Sequence, residues 1–157
     1  MTPDPLPIVL AGPADATGVQ ACVDAAYTVW IPRIGRKPSP MLADYPALIG
    51  LEAVHIVRDG DDVTAVLVLR PADDHLLIEN VAVRPAYQRR GLGSRLLAFA
   101  DERARALGLP ELRLYTHVLM VDNQRLYRAR GFVETGRRTE NGFARVYMTK
   151  EITGDRG

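Results

Sequence analysis

Apolar side chains recur along this chain with three different spacings, and each change of spacing marks a new element. Residues 6–11 form a short apolar run closed by Gly12-Pro13, which predicts a strand. Val19, Cys22, Val23, Ala26 and Val29 then recur every three or four positions, the period of a helix, with Asp15 or Thr17 as the predicted N-cap. Residues 31–46 hold four prolines and a glycine among basic and apolar side chains, so a long unbroken helix is excluded and a loop with room for short helical turns is expected. Residues 53–58 and 63–70 are rich in β-branched side chains and flank Asp59-Gly60-Asp61-Asp62, a hairpin signal; residues 75–84 make a third strand. The helical period returns over residues 91–107. Leu92, Leu96, Phe99, Ala100, Ala104 and Leu107 share its apolar face, Arg95, Asp101, Glu102 and Arg105 take the other, and Arg103 falls inside the apolar arc. Gly108 and Pro110 stop it. A strand over 112–116 follows, then a short helix capped by Asp122, running to Arg130 and ended by Gly131. Residues 132–138 and 143–149 flank Asn141-Gly142, a strong hairpin turn. The order β-α-loop-β-β-β-α-β-α-β-β predicts an α/β (α+β) fold, a mixed sheet with helices on its faces.

Composition narrows the class. At 157 residues and 47% hydrophobic the chain suits one domain with one core, residues 1–157, with 1–5 and 152–157 expected to fray. A net charge of +1 gives no electrostatic reason for a nucleic-acid or membrane partner. One cysteine, Cys22, and three scattered histidines lack metal-ligand spacing, so no metal is expected and a reducing cytoplasm fits. The N-terminal apolar run is too short for a signal peptide or a membrane span, so export is not expected.

The candidate chemistry sits at the junction PAYQRRGLGSRLL, residues 85–97, between a strand and a helix. A helix start exposes unpaired N–H groups and the positive end of its dipole, which favours an anion. Glycines at 91 and 93 let a ligand approach the main chain, and Arg89, Arg90 and Arg95 add charge suited to phosphate. Neither a GxxxxGK[ST] loop nor a GxGxxG fingerprint is present. Taken alone the junction reads equally well as a diphosphate cradle or as a turn with solvated arginines.

Val83-Arg84-Pro85, then Gln88-Arg89-Arg90-Gly91-Leu92-Gly93 at a helix start, then Leu126-Tyr127 followed by Gly131-Phe132, together resemble the GNAT superfamily of acyl-CoA-dependent N-acetyltransferases. The resemblance implies a GNAT-like, mostly antiparallel central sheet with helices on both faces. It implies that acetyl-CoA (coenzyme A) is the cofactor, its diphosphate on the main chain of Gln88, Arg89, Arg90, Gly91, Leu92, Gly93 and Ser94, and its pantetheine arm beside Val81, Ala82 and Val83 where the sheet opens. Tyr127 matches the family's tyrosine near the thioester sulfur and is the candidate acid for the departing thiolate, the alternative being an amphipathic aromatic that caps the core. Met120 stands where many members carry an asparagine, and Asn123, one turn before Tyr127, is the residue expected to reach the pantetheine amides instead.

An alkylammonium of pKa ~10 must lose a proton before it attacks a thioester. Strand alternation sets Glu79 on the face of Leu77, Val81 and Val83, where desolvation would make it a stronger base. A strand glutamate in a salt bridge is the equal alternative, and His117 is the reserve. For the acyl acceptor the resemblance points to the loop, with Trp30, Arg33, Arg36, Lys37, Met41 and Tyr45, and to the final hairpin, with Phe143 and Arg145. Such side chains suit an amine that also carries an apolar part and a carboxylate, and a simply solvated Pro-rich basic loop is the alternative. The expected reaction is acetyl transfer to a primary amine of a small molecule or peptide by a monomer or homodimer. A non-catalytic acyl-CoA sensor and an RNA-directed acetyltransferase are the alternatives, the second disfavoured by the near-neutral charge.

Overall fold

The computed structural model describes residues 6–152. The strands β1 (Val9–Leu10), β2 (Val54–Asp59), β3 (Asp62–Pro71), β4 (Leu76–Val83), β5 (Glu111–His117), β6 (Val133–Glu140) and β7 (Phe143–Glu151) form a seven-stranded sheet in the order β1-β2-β3-β4-β5-β7-β6. The β1–β2, β2–β3, β5–β7 and β6–β7 pairs are antiparallel, and β4–β5 is parallel. The helices are α1 (Ala16–Tyr27), α2 (Ile31–Ile34), α3 (Tyr45–Gly50), α4 (Leu92–Ala106) and α5 (Val121–Ala129). No helix among the described residues is long and apolar enough to cross a membrane. Two compact units divide the chain, one reaching to Val68 and including Asn80–Gly93, the other formed by Leu69–Glu79 and the chain from Ser94 onward.

In the first unit, α1 buries Val19, Cys22, Val23 and Tyr27. The predicted face ends one turn early: Val29 lies beyond the helix and is 56% exposed. Asp15 occupies the N-cap position without capping α1; its carboxylate instead accepts from the Gly12 N–H and from Arg58. After a short 3-10 turn at Thr28–Trp30, the proline-rich stretch folds into α2, a 3-10 turn at Ser39–Leu42 and the start of α3, with Asp44 accepting from the Ala47 N–H to cap α3. Each proline sits in the first turn of a short element or beside one, where its missing N–H leaves no helical bond unmade.

In the second unit, α4 buries Leu96, Leu97, Ala100, Asp101 and Ala104. The buried stripe therefore leans toward Leu97 and Asp101, away from the predicted Leu107, which is 44% exposed, and Arg103 is exposed rather than trapped. A buried carboxylate requires a partner, and Lys150 supplies it at 2.7 Å, with Arg130 at 4.0 Å. Asp122 is not a cap: α5 starts at Val121 with Met120 in the N-cap position, and Asp122 lies in the first turn. The final hairpin turns at Asn141 (φ 52) and Gly142 (φ 82), as that dipeptide predicts. The expected frayed segments 1–5 and 153–157 lie outside the described residues, while Ile152 is held by an N–H bond to the Pro110 carbonyl at 2.8 Å.

Candidate active site

The first unit carries the glycine junction, and several bonds pin it. Where β4 ends, the Arg84 N–H donates to the Thr64 carbonyl (2.9 Å) and its Nε to the Val63 carbonyl (2.6 Å). A 3-10 turn, Pro85–Tyr87, follows, and the Tyr87 hydroxyl donates to Asp59 at the β2–β3 hairpin (2.9 Å). The Arg90 guanidinium lies 5.1 Å above the Tyr87 ring. Gln88 turns back to donate from Nε2 to the Val83 carbonyl (3.0 Å). Between these anchors the backbone is left-handed twice, at Arg89 (φ 64) and Gly91 (φ 80), before α4 begins at Leu92. For arginine that conformation costs about 1–2 kcal/mol. Nothing among the described residues lies within 4 Å of where a Gly91 Cβ would stand, so glycine is required there by φ and not by crowding. The first amides of α4 have no helical acceptor. Arg89 and Arg90 are exposed, with no carboxylate partner among the described residues. Open main chain, orphan amides and two unpaired cations are what a diphosphate needs.

Along β4 in the same unit, Ala82 is buried and Val81 and Val83 are half-buried. Both valine carbonyls already have a side-chain donor: Val83 O accepts from Gln88 Nε2 (3.0 Å) and Val81 O from the Tyr27 hydroxyl (3.1 Å), which also lies 2.7 Å from Asn80 Oδ1. Asn80 donates onward to the Tyr45 hydroxyl (3.0 Å), which donates to the Pro40 carbonyl (2.6 Å). Tyr45, expected at the surface of the loop, is thus buried and braces β4. Sequence reading missed Tyr27 and Asn80; the signal was a polar residue at an inward position of an apolar strand. Trp30, Arg33, Arg36 and Lys37 remain accessible, with Arg33 5.0 Å above the Trp30 ring, whereas Met41 is buried.

The second unit holds the remaining candidates. Leu76, Leu77 and Ile78 pair with Leu112, Arg113 and Leu114, which puts Glu79 on the sheet face of Arg113, Tyr115 and His117. Glu79 is not in wholly apolar company: the Arg70 guanidinium stands 3.7 Å from its carboxylate. Tyr127 is buried, and desolvation pushes its phenol well above the usual tyrosine range, so it keeps its proton at neutral pH. Its position follows from how α5 ends. The Phe132 N–H donates to the Tyr127 carbonyl and the Gly131 N–H to the Arg128 carbonyl, both at 3.0 Å, with Gly131 left-handed (φ 98) and the Phe132 ring against the Tyr127 ring, centroids 6.0 Å apart. That is a Schellman closure, which calls for the Tyr-xxx-Gly-Phe spacing on its own. Asn123 lies one turn before Tyr127, its Nδ2 3.6 Å from Met120 Sδ, and Ser94 is half-buried in the first turn of α4.

His117 Nδ1 accepts from the Leu119 N–H (3.2 Å), which leaves the proton of the neutral ring on Nε2. Burial, then the Arg145 charge, lower its pKa below 6.5, so the ring is neutral at pH 7. Phe143 is buried, its ring edge-on to His117 with centroids 6.4 Å apart.

Residues 21–132 match the sequence profile of the acetyltransferase (GNAT) family. The chain belongs to that family. The matched stretch contains the glycine junction and Tyr127, and the final hairpin lies beyond it. Among relatives of this chain, a probable N-acetyltransferase 14 of Xenopus tropicalis is 33% identical over 82 residues, 51% of this chain and 40% of its own length. The chain therefore covers two-fifths of the length of that curated relative. Among solved structures, the PaiA N-acetyltransferase of Thermoplasma acidophilum in complex with coenzyme A superposes with a TM-score of 0.78 at 15% identity, over 94% of this chain and 99% of that one. The ribosomal-protein-S18-alanine N-acetyltransferase of Escherichia coli gives 0.74 at 20% identity, over 96% of each chain. At these identities the likeness is one of fold.

Proposed function

We propose that the chain, acting as one acetyltransferase domain, transfers an acetyl group from acetyl-CoA to a primary amine of a small molecule or peptide by direct attack in a ternary complex. The observation that carries this reading is the junction, where left-handed Arg89 and Gly91 feed orphan amides and unpaired cations into the start of α4. Acetyl-CoA supplies the activated thioester. Arg89, Arg90 and the main chain of Gly91, Leu92, Gly93 and Ser94 hold its diphosphate, and Val81, Ala82 and Val83 run beside its pantetheine arm. Gln88 serves through its main chain, because its side chain is engaged with Val83. Family membership and the coenzyme A bound by the Thermoplasma protein support this assignment.

The amine nitrogen attacks the thioester carbonyl carbon, the carbon–sulfur bond breaks, and the sulfur leaves with the electron pair. Tyr127, kept protonated by burial, donates its phenolic proton to that sulfur. The proton lost by the amine goes to Glu79, or to the neutral His117 ring directly or through water. Glu79 must first part from Arg70, 3.7 Å away, or act through that pair.

Calorimetry with coenzyme A tests the cradle, and release of free thiol from acetyl-CoA over a panel of amino acids, polyamines and peptides tests the transfer. Tyr127→Phe is expected to lower kcat about a hundredfold with coenzyme A affinity retained, the scale of a lost general acid. Parent-like turnover in Tyr127→Phe removes its role; no heat with coenzyme A removes the whole reading.

A further inference from the structure

The three strands β5, β7 and β6 present one open face. On it Tyr115 stands opposite Tyr147, Arg113 opposite Thr149 and His117 opposite Arg145, while Gly136 and Arg138 of β6 oppose Tyr147 and Arg145. The register slips between Glu134 and Gly136, and Gly136 brings no side chain, so the face sinks into a cavity of about 410 Å³ bounded by Glu111, Arg113, Gly136, Arg138, Tyr147 and Thr149. That volume is in the range of a small-molecule site.

Charge on this face is unevenly matched. Arg113 is paired with Glu111 and Asp74, and Arg145 with Glu140. Arg138 has no carboxylate partner among the described residues. Its guanidinium lies 4.9 Å above the Tyr147 ring, and Tyr147 in turn stacks toward Tyr115, centroids 5.5 Å apart, under Arg145 at 4.4 Å. A guanidinium over an aromatic ring, with no carboxylate partner, still has N–H groups to offer a carboxylate, bidentately where the geometry allows.

We infer that this groove binds the carboxylate of the acyl acceptor, with Arg138 as its anchor, so that the acceptor is a short peptide or peptide-like amine with its carboxylate remote from the nitrogen. As a statement about the acceptor this rests on the acetyl-transfer reading; as a statement about anion binding it does not. His117 and Arg138 are two strand spacings apart, roughly 10 Å, which is about three extended residues. An α-amino acid is too short to bridge them, and a tripeptide reaches.

The test is calorimetry of the intact protein with triglycine and with triglycinamide, which differ in that one charge. Triglycine is expected to bind at least about tenfold more tightly, the size of one charge-assisted hydrogen-bonded contact. Arg138→Gln should erase the difference, and Arg138→Lys, with the charge but not the fork, should keep part of it. Equal binding of the two peptides to the parent overturns the inference, as does a difference that survives in Arg138→Gln. A fall in particle mass on Arg138→Gln in sedimentation, with the peptide difference unmoved, assigns the face to a second copy of the chain and overturns it too. Absence of thiol release from acetyl-CoA with triglycine, while the binding difference stands, overturns the acceptor assignment and leaves the groove as an anion site; absence of release across the whole amine panel defeats acetyl transfer itself.

Discussion

Gly91 and Gly131 are both left-handed, with φ of 80 and 98, and both belong to the motifs that mark the family, yet their surroundings differ. A Cβ on Gly131 would meet the Lys150 side chain at 3.3 Å, and the Tyr127 and Arg128 carbonyls accept the bonds that close α5 around it. Helix termination accounts for that glycine completely. At Gly91 a Cβ would meet nothing, and two residues earlier Arg89 adopts the same strained conformation although it is neither glycine nor asparagine. No hairpin or helix C-terminus among the described residues calls for that strain. Backbone strain without a structural beneficiary motivates the proposed ligand site at the first motif, whereas helix closure accounts for the second.

The largest effect should come from Gly91→Val. A β-branched residue cannot hold a positive φ, the amides swing away, and coenzyme A affinity by calorimetry should fall about a hundredfold, the loss of one or two charge-assisted bonds. Affinity equal to the parent would place the diphosphate elsewhere. Next in size, Gly131→Ala should cost about 1–2 kcal/mol in urea unfolding, from the left-handed penalty, with coenzyme A affinity little changed; a large loss of affinity would erase the contrast between the two glycines. Arg89→Gly relieves strain but adds chain entropy, so stability should move by less than about 0.5 kcal/mol. Affinity for coenzyme A should nonetheless drop several-fold, because the cation is gone.

The smallest effect concerns acid. The folded pKa of His117 lies below 6.5, so the unfolded chain binds the proton more readily as pH falls through that value. Stability contributed by the neutral ring is present above pH 6.5 and is lost as pH falls through the folded pKa. An NMR titration placing His117 at or above 6.5 would contradict this, and with it the use of a neutral ring as proton acceptor at pH 7.

Most elements were legible because their signals are local. Apolar period, turn residues at Asn141-Gly142 and helix stops at Gly108 and Gly131 depend on neighbours a few positions away, and the strand boundaries fall within two residues of those expected except at the chain's first strand. The failures were non-local. Asp101 looked solvent-facing until Lys150, 49 positions on, stood 2.7 Å from it. Tyr45 looked like a loop aromatic until Asn80 claimed its hydroxyl. Glu79 looked apolar-flanked until Arg70 came within 3.7 Å. The odd positions of β5, and those of β7 after Phe143, were polar in the sequence, but only the pairing of β6 with β7 brings Arg138 over Tyr147.

What the amino-acid order determined by itself was the succession of elements and the two glycine motifs, since φ preference and side-chain period are properties of a few adjacent residues. What tertiary structure alone decided was the partner of each charge and the cavity on the open face, because electrostatic and hydrogen-bond energies depend on distances between residues that the chain brings together only after it folds.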